Sequence, residues 1–190
     1  MERITFITGN TSKLKEAQEI MRNVDIDVEL ISKNIETPEI EDLDQEKVLL
    51  DKARRAFAIL KEPLIVDDTG IYFKAYKNFP GTMTKLLFKA IGFSGISTLL
   101  KEKEKDAHFK SMICYKDKDN EKIFLGIWEG KIIDETSKSF NPDWEYNSIF
   151  VPNGENKVLA EINIEERAKK SHRRKAFNEL IKWLKNNKTQ

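Results

Sequence analysis

Apolar and polar positions alternate at the start of the chain. Ile4 and Phe6 stand against Arg3 and Thr5, and Ile7 leads into a turn at Gly9, which predicts a half-buried first strand. From Ser12 to Arg22 the apolar positions Leu14, Ala17 and Met21 recur at helical spacing, with Thr11 or Ser12 available as the cap. Val24, Ile26, Val28 and Leu30 alternate strictly and predict a second strand. Leu49, Ala53, Ala56 and Leu60 mark a second helix. The run Pro63 to Phe73, PLIVDDTGIYF, reads as a strand whose C-terminal end carries two carboxylates and a turn. Helical character returns from Lys85 to Ile91 and from Ile96 to Lys103. Strand patterns follow at Phe109 to Tyr115, Lys122 to Trp128 and Tyr146 to Val151. A last helix begins near Ser171 and carries Phe177, Leu180 and Leu184 on its apolar face. Helices and strands alternate early and strands cluster late, which predicts an α/β fold with a mixed sheet.

Composition narrows the class. The 190 residues are expected to form a single domain spanning 1–190, and a chain of this size buries roughly 70% of its unfolded surface without a disulfide or structural metal. Cys114 is the only cysteine, which excludes an intrachain disulfide and a cysteine zinc site and suits a reducing, cytoplasmic setting. Its place within a strand pattern makes it a core residue. The formal charge of +1, from 33 basic and 32 acidic residues, argues against a nucleic-acid binder working by bulk electrostatics. No apolar run approaches the roughly 20 residues of a membrane helix, and no signal-peptide pattern opens the chain.

Three stretches carry candidate chemistry. FITGNTSKLKE, Phe6 to Glu16, places Gly9 and a set of small polar residues where a strand hands over to a helix. A helix N-terminus offers unpaired N–H groups and a positive dipole end, a natural seat for phosphate; Asn10, the hydroxyls of Thr8, Thr11 and Ser12, and the Lys13 charge would add to it. The spacing is not that of a P-loop, and a plain strand-to-helix turn explains the stretch equally well. In VDDTG, Asp67 and Asp68 stand at the strand edge where open α/β sheets bind ligands. Paired carboxylates suit magnesium or general-base work, and a solvated turn is the alternative. In ERAKKSHRRKAF, Ser171 would cap a helix with His172 and Arg173 on its first turn, where a cation opposes the helix dipole. A nearby anion or a purine carbonyl would account for that placement; a solvated basic helix end is the alternative. Glu39 and Lys85, each taken alone, read as surface residues.

The order of these pieces is more telling than any one of them. The chain reads TGNxxKxxE, PE, DDTG, PG with a lysine four residues beyond, F-x-P-x-G, AE and SHR. From Ile4 to Leu184 it resembles the inosine triphosphate pyrophosphatase family. That resemblance implies hydrolysis of ITP, dITP and XTP to the nucleoside monophosphate and pyrophosphate, with Mg2+ as cofactor. It also implies an elongated, two-lobed α/β fold, in which a long twisted mixed sheet is flanked by helices and the substrate cleft lies between the lobes. Members are usually homodimers. By the same resemblance, Thr8, Gly9, Asn10, Lys13 and Lys85 would hold the triphosphate. Glu39, Asp67 and Asp68 would hold the metal, Asp68 would orient or deprotonate the attacking water, and Lys13 would join it in catalysis. Trp144, Tyr146, Asn147, Arg167, His172 and Arg173 would form the base site. There Arg173 could donate to O6 of hypoxanthine or xanthine, which adenine's exocyclic amine would not accept.

One segment departs from the pattern. NPDWEYNSIF, Asn141 to Phe150, stands where the family commonly carries G-F-G-Y/W-D-P, so Tyr146 keeps the stacking aromatic while Asn147 replaces aspartate. Altered base preference is therefore one alternative to the main reading. A nucleotide-binding sensor without turnover is another, although binding alone would not need Lys13, Glu39, Asp67 and Asp68 together.

Overall fold

The computed structural model describes residues 2–22, 24, 26–36, 38, 40–77, 79–134 and 145–187. In chain order its elements are β1 (Glu2–Ile7), α1 (Thr11–Arg22), β2 (Val28–Lys33), α2 (Gln45–Leu60), β3 (Leu64–Phe73) and β4 (Pro80–Gly81). Then come α3 (Thr84–Leu99), β5 (Asp106–Lys116), β6 (Glu121–Ile132), β7 (Phe150–Pro152), α4 (Ile164–Lys170) and α5 (His172–Asn187), with 3-10 turns at Glu145–Ser148 and Leu159–Glu161. The strands form one sheet in the order β2-β1-β3-β5-β6-β7, and the short β4 pairs with β3. Pairing is parallel from β2 through β1 to β3 and antiparallel elsewhere, so the sheet is mixed, as the alternation of elements implied.

Strand periodicity divides the core. On one face Ile4, Phe6, Ile65, Ile113 and Tyr115 pack against Ala17 and Ile20 of α1 and Phe177, Leu180 and Leu184 of α5. The intervening positions Ile7, Leu64, Val66, Met112 and Cys114 point the other way and pack on Leu49, Ala53 and Ala56 of α2. A third cluster lies further along β3, β5 and β6, where Ile71, Phe73, Phe109, Trp128 and Ile132 meet Ile96 and Leu100 of the α3 region and Tyr146 and Phe150. The cores form two lobes that share three long strands.

The register opens a window between the lobes. β1 pairs with β3 only from Leu64 to Val66, and β4 pairs with it only at Ile71 and Tyr72. β5 accompanies β3 along its whole length on the other side. Among the described residues, 67–70 therefore have no strand partner on the β1 side. The two carboxylates expected at the end of a strand stand instead in the middle of one, because β3 continues to Phe73.

Four other boundaries differ from the expectation. Asn10, rather than Thr11 or Ser12, caps α1: its Oδ1 accepts from the N–H groups of Ser12 and Lys13 at 2.9 and 3.0 Å. The alternation from Val24 to Leu30 gave burial correctly, since all four side chains pack on the first core, but the ladder with β1 begins only at Val28. Tyr146 to Ser148 form a 3-10 turn, and the strand shortens to Phe150–Pro152. The two helical stretches after Lys85 are both present within α3, but they meet at Gly92, whose non-helical φ of 60° a side chain would disfavour, and the second ends at Leu99.

Gly126 of β6 lets α5 lie directly on the sheet. A Cβ there would stand 1.9 Å from the His172 carbonyl oxygen and 2.6 Å from the Ala176 nitrogen, and neither backbone atom can yield alone. Gly126→Ala is expected to displace the first turn of α5 and destabilise the fold by about 3 kcal/mol. Thermal unfolding should then begin roughly 6–12 °C lower. An unchanged melting temperature would contradict this packing.

Candidate active site

The site is assembled around the window in β3. Alternation along the strand sends adjacent carboxylates to opposite faces. Asp67 and Thr69 point toward α1 and α5, whereas Asp68 lies on the side of α2. On the first face, Lys13 of α1 donates to Asp67 Oδ1 at 2.6 Å, and Arg173 of α5 donates to Asp67 Oδ2 at 3.0 Å. Arg173 also donates to Glu16 of α1 and, at 3.1 Å, to Thr69 Oγ1. Ser171 donates to the second oxygen of Glu16 at 2.7 Å and accepts from the N–H of Arg174 at 3.1 Å, which caps α5 as the sequence predicted. Three distant motifs thus meet in one buried network.

Electrostatics in this network follow from burial and pairing. Burial by itself raises the Asp67 carboxyl, but the Lys13 and Arg173 charges outweigh it and hold the group well below the usual carboxylate range. Burial lowers the Lys13 ammonium despite the neighbouring Asp67, and Arg173 adds to that effect. Asp68 behaves oppositely: burial raises its carboxyl, and Asp67 adds to the shift, while Lys13 opposes it. Its Oδ2 is shielded and accepts no hydrogen bond from the described residues. Gln45, the first residue of α2, ties down the backbone behind it by donating to the Asp68 carbonyl at 3.2 Å and accepting from Tyr72 Oη at 2.9 Å.

A cleft of about 370 Å³ opens here, and its lining includes Asn10, Lys13, Lys52, Asp67, Asp68 and Lys85. Its wall is completed by Thr69, Met83, Leu86, Phe109, Tyr146 and Asn147, with Glu41 and Glu145. A second cavity of about 420 Å³ adjoins it and shares Asn10, Lys13, Lys52, Asp67 and Lys85, adding Thr8, Gly9 and Asn34. The shared residues are mostly cationic, while the aromatic ones belong to the first cavity alone. The cleft has a cationic end beside the N-terminus of α1 and an aromatic end beside Tyr146.

The sequence candidates divide accordingly. Thr8, Gly9, Asn10, Lys13, Lys85, Asp67, Asp68, Tyr146 and Asn147 all line this pair of cavities. Arg167, His172 and Arg173 do not line either. His172 stacks behind Phe109 with ring centroids 5.0 Å apart, and both of its ring nitrogens lack hydrogen-bond partners among the described residues. Burial, with the Arg173 charge beside it, pushes the imidazole down to about 3, so it is neutral. Arg167 lies on α4 with its Nε buried and unbonded among the described residues. Glu39 and Trp144 lie outside the described residues. Several contributors carried no distinct signal in the sequence. Lys52 and Gln45 are ordinary polar positions on α2, and Phe109 reads as core. Glu16 belonged to the opening motif, three residues after Lys13, but nothing in its spacing announced Arg173 as its partner.

A mixed α/β sheet with a cationic helix N-terminus, a raised carboxylate and an aromatic wall in one cleft defines a protein that handles a phosphorylated molecule with a planar group. Comparison with known proteins places it further. The Ham1 family profile matches residues 4–183. The chain is 35% identical over 183 residues to a dITP/XTP pyrophosphatase of Saccharolobus solfataricus, covering 96% of this chain and 93% of that one. It is 36% identical over 186 residues to a dITP/XTP pyrophosphatase of Thermococcus kodakarensis, covering 97% and 98%. The solved structure of a HAM1 protein from Coxiella burnetii superposes with a TM-score of 0.81 at 25% identity, covering 98% of this chain and all of that one. The chain belongs to the Ham1 family.

Proposed function

We propose that the protein is a magnesium-dependent pyrophosphatase that converts dITP, ITP and XTP to the monophosphate and pyrophosphate, and that it acts as a cytoplasmic homodimer. The coarse activity follows from the family: it hydrolyses non-canonical purine nucleoside triphosphates. The observation that carries the finer reading is the single cleft with Lys13, Lys52 and Lys85 at one end, Asp68 between, and Tyr146 at the other. Phosphoryl transfer depends mainly on positioning and on neutralising phosphate charge. The α1 N-terminus and the lysines supply both. Asp68, with a shielded oxygen that no described protein group occupies, is suited to orient a water and take its proton.

Among the described residues no three metal-ligating side chains gather in advance. Magnesium needs only one or two carboxylates when phosphate oxygens complete its shell, and Asp68 Oδ2, without a hydrogen-bond partner among the described residues, fits that requirement. Asp68 would hold the ion, with Glu39 by its motif; both oxygens of Asp67 are taken by cations. When bound, magnesium would neutralise charge on the phosphates. No described helix is long and apolar enough to cross a membrane.

The test supplies XTP, dITP, GTP and ATP separately, with and without magnesium, and separates pyrophosphate from orthophosphate. Pyrophosphate from XTP and dITP, little from ATP, and none without magnesium is the expected result. Release of orthophosphate instead would sink the assigned bond. One feature favours a broader base preference. Glu145, where the family commonly has glycine, lines the aromatic end beside Asn147. A carboxylate accepts from N1–H and also from the 2-amino group of guanine. GTP turnover within about tenfold of XTP would establish that variant.

A further inference from the structure

We propose that Gln45 is a positioning residue which, together with Tyr72, holds the Asp68 segment of β3 in its reactive place. The inference rests on the pyrophosphatase reading above, in which Asp68 orients the attacking water. Among the described residues, 67–70 have a strand neighbour on the β5 side only, so the carboxylate of the cleft stands on a stretch with half the usual sheet support. Gln45, the first residue of α2, is buried over that stretch. Its Nε2 donates to the Asp68 carbonyl at 3.2 Å and, more loosely, to the Lys110 carbonyl of β5 at 3.4 Å. Its Oε1 accepts from the Tyr72 hydroxyl at 2.9 Å.

The chemistry allows this arrangement in one sense only. Carbonyl oxygens accept and do not donate, so the amide nitrogen must face them, and the amide oxygen is left for the phenol to donate to. Burial raises the Tyr72 phenol, which therefore keeps the proton it donates. Tyr72 stands four residues beyond Asp68 and, by strand alternation, on the same face. Its ring stacks on His108 with centroids 5.1 Å apart, and the Lys110 ammonium lies 4.3 Å from its centroid. Asp44 fixes the start of α2 by accepting from the Glu46 N–H at 3.0 Å, and so fixes where Gln45 leaves the helix. One carboxamide thus ties Asp68 to a packed aromatic on its own strand and to the neighbouring strand. Neither Gln45 nor Tyr72 lines the cleft or the adjoining cavity, so both act on the substrate through Asp68.

The test compares wild type with Gln45→Leu, Tyr72→Phe and their double variant, each also made in an Asp68→Asn background. The double variant removes the amide and the hydroxyl together and keeps the ring, so it strands no phenol and serves where Gln45→Leu is too unstable. Melting temperatures set a common temperature at which every variant is folded. At that temperature kcat and KM for XTP and amide hydrogen exchange over residues 67–70 are measured. Gln45→Leu should lose about 10²-fold in kcat with KM little changed; Tyr72→Phe, which leaves both carbonyl bonds in place, should lose about tenfold. In the Asp68→Asn background neither should cost more than about threefold further, because the group they place is gone. Exchange over 67–70 should quicken about tenfold in Gln45→Leu. Undiminished losses in the Asp68→Asn background would overturn the proposal by showing general damage, and so would wild-type kcat in Gln45→Leu. If the wild type releases no pyrophosphate from XTP, the pyrophosphatase reading fails by itself. Exchange over 67–70 then decides whether Gln45 holds the segment, and a rate equal to wild type in Gln45→Leu would overturn that too.

Discussion

Asp68→Asn should release pyrophosphate from XTP about 10²–10⁴-fold more slowly than wild type, the range a positioned general base contributes. The same substitution should raise the melting temperature. The ionised Asp68 is disfavoured in the fold, chiefly by burial, and its folded pKa stands above the unfolded value of 3.8. A carboxyl raised in this way binds its proton more tightly in the folded state, so it weakens the fold as pH rises through that interval. Asparagine removes the charge and is expected to stabilise by about 1 kcal/mol at neutral pH, roughly 2–4 °C. The combined measurement is a single-turnover assay beside a thermal melt. Lower activity with a lower melting temperature would point to general damage and away from the assigned role.

Lys13→Met should have the second largest effect, and on both quantities. The lysine faces the cationic end of the cleft and pairs with the buried Asp67, so its loss weakens phosphate charge stabilisation and removes one of the two cations that hydrogen-bond Asp67. Turnover of XTP should fall about 10²–10³-fold. Stability should fall by about 3 kcal/mol, the lower end for breaking a buried pair, because Arg173 remains. The pH dependence has a definite sign. The folded pKa of Asp67 is depressed, so its contribution is full above the unfolded value of 3.8 and disappears as pH falls through the folded value. Without Lys13 that folded value rises, and acid unfolding should begin at higher pH than in wild type. An acid-unfolding curve superimposable on wild type would contradict the pairing.

Much of the fold was legible because the elements packed against one core obey simple periods. β1, α1, α2 and α5 bury the residues their spacing announced, and Ser171 caps where expected. Reading failed where tertiary structure overrode local signals. Asp67, Asp68 and Gly70 look like the end of a strand, yet β5 pairs with every residue from Leu64 to Phe73 and carries the strand through. Adjacent carboxylates in a turn would repel; in a strand they face apart, and that separation lets one be ion-paired while the other keeps an oxygen that is unbonded among the described residues. α4 passed unnoticed because seven residues with one buried alanine show no period. The site's motifs were legible as a set, but their partnerships were not. No spacing rule connects Glu16 to Arg173, because the bond is made by the packing of α1 and α5 on one sheet face.

That bond joins positions 157 residues apart, and it bears on how the molecule is made. A chain leaving the ribosome has completed β1, α1 and all of β3 long before α5 emerges. Until then Glu16 and Asp67 have no guanidinium between them, and the apolar face formed by Phe6, Ile65 and Ile113 has no Phe177 or Leu180 to cover it. Because domains generally fold as units, the nascent chain holds neither a finished core nor a working cleft until its final helix is available. Shortening the chain before His172 therefore removes the catalytic arrangement and the folding endpoint in the same stroke, so synthesis that stops early yields material for proteolysis and no partly active enzyme.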